Sequence, residues 1–414
     1  MNEGQDYPDQ LAPFLGVIKT MARAYEGTVV RLPLRTSEQA ARTKIKNTPT
    51  TIGDIRSLFV EFIEKELEIV MLFLKHITTI ELREITADGK LNVLANVAID
   101  SPDLSSRAFT RGATVCMETF KSCIRFQTPK RQSSRTWRIY HSIQPRSHTS
   151  ALLKRRLQYE VFEDELVQDK LFAHVALAYP LDGPHVNGKL FTLLPLPIVT
   201  GFPLHIHAVL ALTPDRQSLR NKQEEGFSLR SRERYAIPVL LSKSYFSFRL
   251  LVEWNQIIFD EYLPSTWIKL FEVLIREDGI ASIWSAWPLL NLTGTSGSSY
   301  WGRILHNILR VSATEVPRPT VFPAGQNFVT LTSGLVAEEK EDHSVIDMLR
   351  RTEVTVIVVP ESISVVLREL NTVTLHEDFT VENVHRKLLV CHQLLSFQSK
   401  SVPATLHQTI IGPR

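Results

Sequence analysis

The most regular apolar pattern in the chain lies just after residue 50. Apolar side chains there recur at intervals of three and four residues, at Ile55, Leu58, Phe59, Phe62 and Ile63. This spacing places them on one face of an α-helix. Thr51 and Asp54 stand at the spacing of a capping box, in which the two side chains satisfy free backbone N–H groups at a helix start. We therefore predict a helix that begins after Thr51 and runs to about Lys75.

Other segments alternate apolar and polar residues, as β-strands do. We predict strands in the first half of the chain at Tyr25–Arg35, Ile77–Thr86, Leu91–Ala98, Thr136–Ile143, Leu171–Pro180 and Leu204–Val209. The Asp88-Gly89 pair between the second and third of these is a common hairpin turn, so we expect those two strands to pair. Thr36–Asn47 is polar and is expected to be a surface helix or a linker.

From Ile237 onward the pattern becomes mainly helical. Leu250, Leu251, Trp254 and Ile258 share one helix face. We expect Pro264 to break this helix, and Ser265 or Thr266 to cap the next one. The last hundred residues predict a small α/β unit with a strand at Val354–Val359, a helix at Glu361–Leu370, a strand near Val373 and a helix from about Val381 to Leu395.

Composition narrows the classes of protein to consider. A chain of 414 residues has room for two or three domains, and its 43% hydrophobic content argues against a mainly disordered protein. The net charge of +3 gives no support to a general polyanion binder, and three cysteines are too few for a disulfide framework. The first residues lack the pattern of a signal peptide, and no apolar run approaches the length of a membrane span. We expect a cytoplasmic protein with no membrane partner.

One stretch departs from this charge balance. Between Lys130 and Arg156 the chain has eight Lys or Arg residues and no Asp or Glu. The simpler interpretation is a solvated face next to the acidic segment Glu160–Asp169. The alternative is an anion-binding patch formed by Lys130, Arg131, Arg135, Arg138, Arg155 and Arg156. With Trp137 and Tyr140 nearby, such a patch is one way to bind nucleic acid.

Two histidines and one arginine are further candidates. His205 and His207 lie on one face of a predicted strand, but a metal site needs a third ligand, so we interpret them as half-exposed strand residues and predict no metal site. The chain has no nucleophile elbow, zinc-protease or phosphate-loop motif. Arg216 directly follows a predicted strand, where it either reaches a phosphate or carboxylate or forms a surface ion pair.

Three stretches together resemble sacsin-type proteins. Tyr25–Thr36 resembles the end of their GHKL-type, heat-shock-chaperone-like ATPase module, and Asp54–Glu81 is similar to the helix and strand after it. Thr200–Arg220 resembles a signature that contains Thr-Gly-x-Pro-x-His and a later Asp-Arg pair, and it is the most specific of the three. Looser similarity extends to the C-terminus.

The resemblance implies an α+β protein in three parts. Residues 1–48 would be the last strand of an incomplete GHKL-like ATPase sandwich, residues 49–243 a middle α/β domain, and residues 244–414 a helical region with the small α/β unit. Gly27 and Thr28 would then lie near a nucleotide, and Arg216 would reach its terminal phosphate.

The catalytic motifs of such ATPases are missing from this sequence. No Asn has a Glu four residues before it, and no Asp-x-Gly-x-Gly occurs, so magnesium lacks an Asn ligand and water lacks a carboxylate base. We therefore expect a fragment or a degenerate relative that needs an upstream ATPase segment to hold ATP and magnesium. No catalytic residue and no cofactor are predicted for this chain alone.

The function expected from this resemblance is chaperone-related. The chain would act through protein–protein contacts with clients, co-chaperones or an upstream ATPase segment, without hydrolysing ATP itself. The alternatives are a nucleic-acid-binding module that uses residues 130–156, although nucleic acid is a less favoured partner, and a non-functional remnant of a larger ATPase.

Overall fold

The computed structural model describes the chain as two compact units. The described residues are 28, 30, 32–44, 47–86, 88–100, 116–158, 161, 163–168, 170–220, 242–280, 282–289, 300–370, 377–378, 380 and 382–389. Unit 1 comprises Met1–Met71, Ile77–Ile99 and Ile124–Ser134, and unit 2 comprises Leu72–His76, Asp100–Cys123 and Arg135–Arg414. Within the described ranges, no helix has both the length and the apolar character needed to cross a bilayer.

Unit 1 begins with irregular chain and two helices. The described residues between 28 and 36 belong to no strand, so the strand predicted at Tyr25–Arg35 is wrong for them, and Val30 and Leu32 are 74% and 84% exposed. A short helix, α1 (Ser37–Ala41), lies inside the segment predicted as a surface helix or linker. The second helix, α2 (Ile52–Lys65), is the one that the apolar spacing predicts.

The capping box at the start of α2 is confirmed. The Thr51 hydroxyl accepts a hydrogen bond from the Asp54 N–H at 3.1 Å, and the Asp54 carboxylate accepts one from the Thr51 N–H at 2.8 Å. The helix ends at Lys65, about ten residues earlier than predicted, and residues 66–73 form successive turns. These turns supply buried Leu67, Val70 and Met71 to unit 1, whereas α2 itself has no buried residue.

The sheet of unit 1 is antiparallel. Strand β1 (Thr79–Ile85) pairs with β2 (Leu91–Ile99) as the Asp88-Gly89 turn predicts, and a bulge interrupts the register between Leu82 and Arg83. The far side of β2 pairs with the last residues of β3 (Cys116–Gln127). Both β3 and β4 (Gln132–Ile143) contribute residues to each unit.

Unit 2 contains the more buried sheet. Its strand order is β4-β5-β8-β6-β7, where β5 is His174–Pro180, β6 is Lys189–Thr192, β7 is Leu194–Val199 and β8 is His205–Ala208. Strand β8 pairs antiparallel with β5 and parallel with β6. Two helices, α3 (Arg146–Leu157) and α4 (Glu163–Gln168), connect β4 to β5.

The helices of unit 2 form one continuous apolar core with this sheet. They are α5 (Ser242–Ile257), a π-helical turn (Ile258–Tyr262), α6 (Leu263–Glu277), a 3₁₀ turn (Ile283–Ala286) and α7 (Tyr300–Thr314). Pro264 was expected to break the helix, but it lies in the first turn of α6. Helical backbone is continuous from α5 through the π-helical turn into α6. The Leu263 N–H donates to the Ile258 carbonyl, five residues back, so the regular α-helical bonding is already interrupted where Pro264 lacks an N–H. Helix α6 therefore has no Ser265 or Thr266 cap.

The C-terminal part of unit 2 is the small α/β unit that the sequence predicts. It contains β9 (Phe322–Ala324), β10 (Asn327–Val329), a 3₁₀ turn (Leu331–Ser333), β11 (Leu335–Glu338), α8 (His343–Arg351), β12 (Val356–Val359), α9 (Glu361–Leu370) and β13 (Glu377–Asp378). The strand at Val356–Val359 and the helix at Glu361–Leu370 are confirmed. Residues 382–389 are helical, inside the last predicted helix, whereas Val373 lies outside the described residues.

The described chain is therefore mixed α/β, with strands and helices in both units. The domain boundaries predicted after residues 48 and 243 stay predictions.

Candidate functional site

Unit 1 has a groove of about 800 Å³ along α2. One face of this helix lines it, through Ile52, Ile55, Phe59, Val60 and Ile63. Phe59 is 43% exposed and Val60 52% exposed. An amphipathic helix normally buries such a stripe against the rest of its domain. Here the stripe lies open along the groove.

The sheet of unit 1 supplies the other wall. Ile85 of β1, Leu94 of β2 and Phe126 of β3 line the groove, and the turn Thr128–Arg131 lies at its margin. The Arg56 guanidinium on α2 bonds the Glu84 carboxylate on β1 at 2.7 Å. Helix and sheet are thus linked by an exposed ion pair beside an apolar channel. An open apolar groove of this kind is suited to hold apolar side chains of another molecule.

Charged groups surround the groove, and most of them are neutralised. Arg131 pairs with Glu68 at 2.8 Å, and its guanidinium lies over the Phe126 ring. Arg83 pairs with Glu81. Lys130 is exposed, and no carboxylate among the described residues lies within ion-pair distance of its ammonium group. The groove lining therefore offers a bound partner one positive charge, from Lys130, and one negative charge, from Glu64 of α2, which likewise has no partner of opposite charge within ion-pair distance among the described residues.

The nucleotide-proximal residues expected from the resemblance stay a prediction. Gly27 lies outside the described residues, and Thr28 is an exposed residue of unit 1. Arg216 belongs to unit 2, where it occupies a tight turn with a left-handed φ of 56° and donates its backbone N–H to the Thr213 carbonyl. Its side chain is exposed.

Among the described residues, no three His, Cys, Asp or Glu side chains lie close enough together to hold a metal ion. Asp215, the carboxylate beside Arg216, accepts hydrogen bonds from the Thr213 hydroxyl and the Gln217 N–H. These bonds hold the pKa of Asp215 below its ordinary value and fold the turn on itself.

The predicted basic residues have separate environments. Arg138 is buried and bonds both oxygens of Asp278, at 2.7 and 2.8 Å. Arg156 pairs with Asp260 and Glu261, both at 3.1 Å. Arg135 donates to the Pro184 carbonyl at 3.0 Å, and its guanidinium lies over the Trp137 ring. Arg155 is exposed.

The two aromatic side chains of this segment that could stack on a nucleic-acid base are buried. Trp137 is 1% exposed and Tyr140 is 6% exposed, so neither presents a ring face to solvent. Base stacking needs an accessible aromatic face. Residues 130–156 therefore offer exposed charges without a stacking platform.

The histidines prove to be buried, which corrects their interpretation as half-exposed residues. His205 and His207 are 2% and 1% exposed, because β8 has a neighbouring strand on each side and its faces are covered. Their Nδ1 atoms accept hydrogen bonds from the N–H groups of Lys189 and Leu193, at 3.0 and 3.2 Å. His174 lies between them and β4, with its Nε2 atom 3.1 Å from Nδ1 of His141.

Burial makes these histidines unusually weak bases. It lowers the pKa of His205 to about 3, and the nearby charges of Lys189 and Arg135 add to the effect. It lowers the pKa of His207 to about 4, with a smaller contribution from Lys75. Burial also moves the pKa of His174 well below its ordinary value, and His207 and His141 contribute further. The cluster is a neutral part of the core.

Comparison with known proteins finds one family. Residues 1–95, which include α2 and most of its groove, match the family model described as Sacsin domain. Human sacsin is 24% identical over 255 residues, which cover 53% of this chain. This chain is sacsin-like. The match covers 5% of the length of sacsin, and no solved structure matches the chain.

Sequence reasoning identified the apolar face of α2 but missed the sacsin-like chain's groove. The spacing from Ile55 to Ile63 carries no information about what covers that face. The available signal was the second apolar cluster directly after α2, where Leu67, Val70 and Met71 are buried in unit 1 although no residue of the helix is.

Proposed function

We propose that this sacsin-like chain acts through protein–protein contacts, and that the groove of unit 1 is its contact surface. The proposed partners are chaperone clients or co-chaperones. The observation that supports this proposal is the open apolar stripe of α2, where Phe59 and Val60 are about half exposed. Contiguous exposed apolar surface bordered by polar residues is typical of interaction sites.

The experiment that tests this function is suppression of aggregation. The purified chain should slow the light scattering of a model enzyme as it unfolds on heating. Phe59→Glu should abolish most of this effect, because it places a charge in the apolar stripe. Leu58→Glu is the matched control, since Leu58 is 60% exposed on the same helix but does not line the groove.

The three possible results of this aggregation assay have different consequences for the client-binding function. Suppression that depends on Phe59 and not on Leu58 would support it. Equal suppression by the wild type and the Phe59→Glu variant would place the contact elsewhere. No suppression at any ratio of chain to client would remove the client-binding role.

The relation to ATP is a second part of the proposal. We propose that the first residues correspond to the end of a GHKL-like ATPase module, and that ATP and magnesium require an ATPase segment supplied upstream or by another molecule. Arg216 would then contact the terminal phosphate of that segment's nucleotide. This chain alone should release phosphate from ATP no faster than buffer does. Hydrolysis above background that Arg216→Ala abolishes would contradict the proposal.

A further inference from the structure

A protein segment can bind the groove of unit 1 either as an added β-strand or as a helix, and the residues of the groove favour one of the two. This choice rests on the proposed contact function, because it concerns the partner of the same surface.

The exposed edge of β1 is poorly suited to accept an added strand. Among the described residues, β1 pairs only with β2 and leaves its other edge open. A bulge interrupts the strand at Leu82/Arg83, and charged Glu81, Arg83 and Glu84 occupy the same region. Bulges and charges on edge strands are devices that prevent strand addition.

The apolar stripe of α2, in contrast, suits a helix. Its groove-lining residues follow each other at intervals of three and four, from Ile52 through Phe59 to Ile63. This is the spacing by which one helix packs along another. At 1.5 Å per residue the stripe is about 17 Å long, which matches about three helical turns.

The charge of the margin adds a second requirement. Lys130 lines the groove and has no carboxylate partner among the described residues, whereas Arg56 and Arg131 are each paired with a glutamate. A partner with an acidic residue facing Lys130 would gain an ion pair, and a basic one would meet repulsion. Glu64 of α2 also lines the groove, so an acidic residue on that side would be repelled, and the acidic position is specific to the Lys130 side.

We propose that the groove binds an amphipathic helix of about three turns from a partner protein, with an acidic residue facing Lys130. The apolar face of that helix packs along the stripe of α2, and its polar face remains in solvent. Unit 1 therefore recognises a helical segment, not an extended one.

The test uses the full chain and synthetic peptides. A fluorescein-labelled peptide of about 18 residues has Leu at helical spacing and Glu along one flank. A second peptide is identical except for one central proline, which breaks the helix. A third has Lys in place of the Glu residues. Binding is measured by fluorescence anisotropy, and helix formation by circular dichroism of the complex.

The expected result is binding of the first peptide with increased helicity, and loss of binding by the proline peptide. Phe59→Glu should weaken binding by about tenfold or more, because an apolar contact is lost and a charge is buried. Val60→Glu, a second exposed position of the stripe, should act in the same way. The control Leu58→Glu should change the affinity by less than about twofold.

The charge requirement has its own control. Lys130→Glu should weaken the Glu-flanked peptide by about two- to fivefold and strengthen the Lys-flanked one by a similar factor. Lys90→Glu changes an exposed lysine of unit 1 that does not line the groove, so it should affect neither peptide. An effect of Lys90→Glu equal to that of Lys130→Glu would overturn the placement of the acidic residue.

Other outcomes overturn the helix proposal. Equal binding of the proline peptide would mean that an extended segment occupies the groove. A dimer in sedimentation velocity that Phe59→Glu dissociates, together with no peptide binding, would mean that a second copy occupies it. If the chain suppresses aggregation through Phe59 but binds no helical peptide, the helix proposal fails while the contact function stands.

Discussion

At the scale of single residues, buried histidines link the stability of unit 2 to pH. His205 and His207 are neutral in the folded chain, with pKa values of about 3 and 4 against an ordinary value of 6.5. Below about pH 6.5 the unfolded chain binds protons that the folded chain does not, so the free energy of unfolding falls as pH decreases towards 4.

The predicted slope is measurable. Each such histidine contributes up to about 1.4 kcal/mol per pH unit between pH 6 and 4.5. His207→Gln should reduce the slope by about that amount when urea unfolding is measured across this range. His385, an exposed residue of the last helical segment, gives the control His385→Gln, which should leave the slope unchanged. An unchanged slope in His207→Gln would contradict the neutral, buried assignment.

A buried ion pair is the second test at this scale. The side chains of Arg138 and Asp278 are 5% and 3% exposed, and Lys121 also bonds Asp278 at 2.9 Å. Burial alone would raise the pKa of Asp278, but hydrogen bonds from Arg138 and Lys121 hold it below its ordinary value. This carboxylate therefore remains charged in the folded protein.

Removing one partner should be costly. Asp278→Ala leaves the buried Arg138 charge with only the partly exposed Glu277 carboxylate, 3.1 Å away, as a charged partner. It should lower the free energy of unfolding by about 3 kcal/mol, as measured by urea unfolding. The control Asp347→Ala breaks an exposed pair with Arg350 and should cost less than about 1 kcal/mol. Similar losses of unfolding free energy in Asp278→Ala and Asp347→Ala would argue that the Arg138 guanidinium is not buried in the folded protein.

At the scale of elements, the start of α2 depends on local interactions, because the helix has no buried residue to hold it. Thr51→Ala removes the capping hydroxyl and should cost about 1 kcal/mol of local stability. Gly53→Ala should stabilise the helix by about 0.5–1 kcal/mol, since the nearest heavy atom to a new Cβ is 3.6 Å away. Hydrogen exchange of the amides in α2 measures the change in helix stability in each variant, and faster exchange in Gly53→Ala than in the wild type would contradict the prediction.

Sequence patterns predicted elements well where local signals decide them. The capping box at Thr51, the hairpin at Asp88-Gly89 and the helix after Pro360 all depend on residues close together in the chain. Predictions failed where distant contacts decide. The alternation around His205 suggested one exposed face, but β5 and β6 enclose β8. Pro264 directly follows a π-helical turn that its neighbours in the sequence do not reveal.

At the scale of the whole molecule, the chain contains two compact units that differ in which elements supply their buried side chains. Unit 2 fills its core with a sheet, helices and neutral histidines. Unit 1 draws its buried side chains mainly from turns and strands, and the apolar stripe of α2 remains uncovered. The apolar spacing predicts only part of that stripe, Ile55, Phe59 and Ile63, and whether it is covered depends on long-range packing that no local pattern reports.

The proposed contact between this sacsin-like chain and other proteins runs through α2. Crosslinking tests this contact directly, with a photoactivatable amino acid at position 59 of the full chain and a model enzyme that unfolds in its presence. A matched chain has the same amino acid at position 348, where Met348 is 50% exposed on α8. The account predicts covalent capture of the client at position 59 and little at position 348. Equal capture at both positions, or capture only at 348, would contradict it.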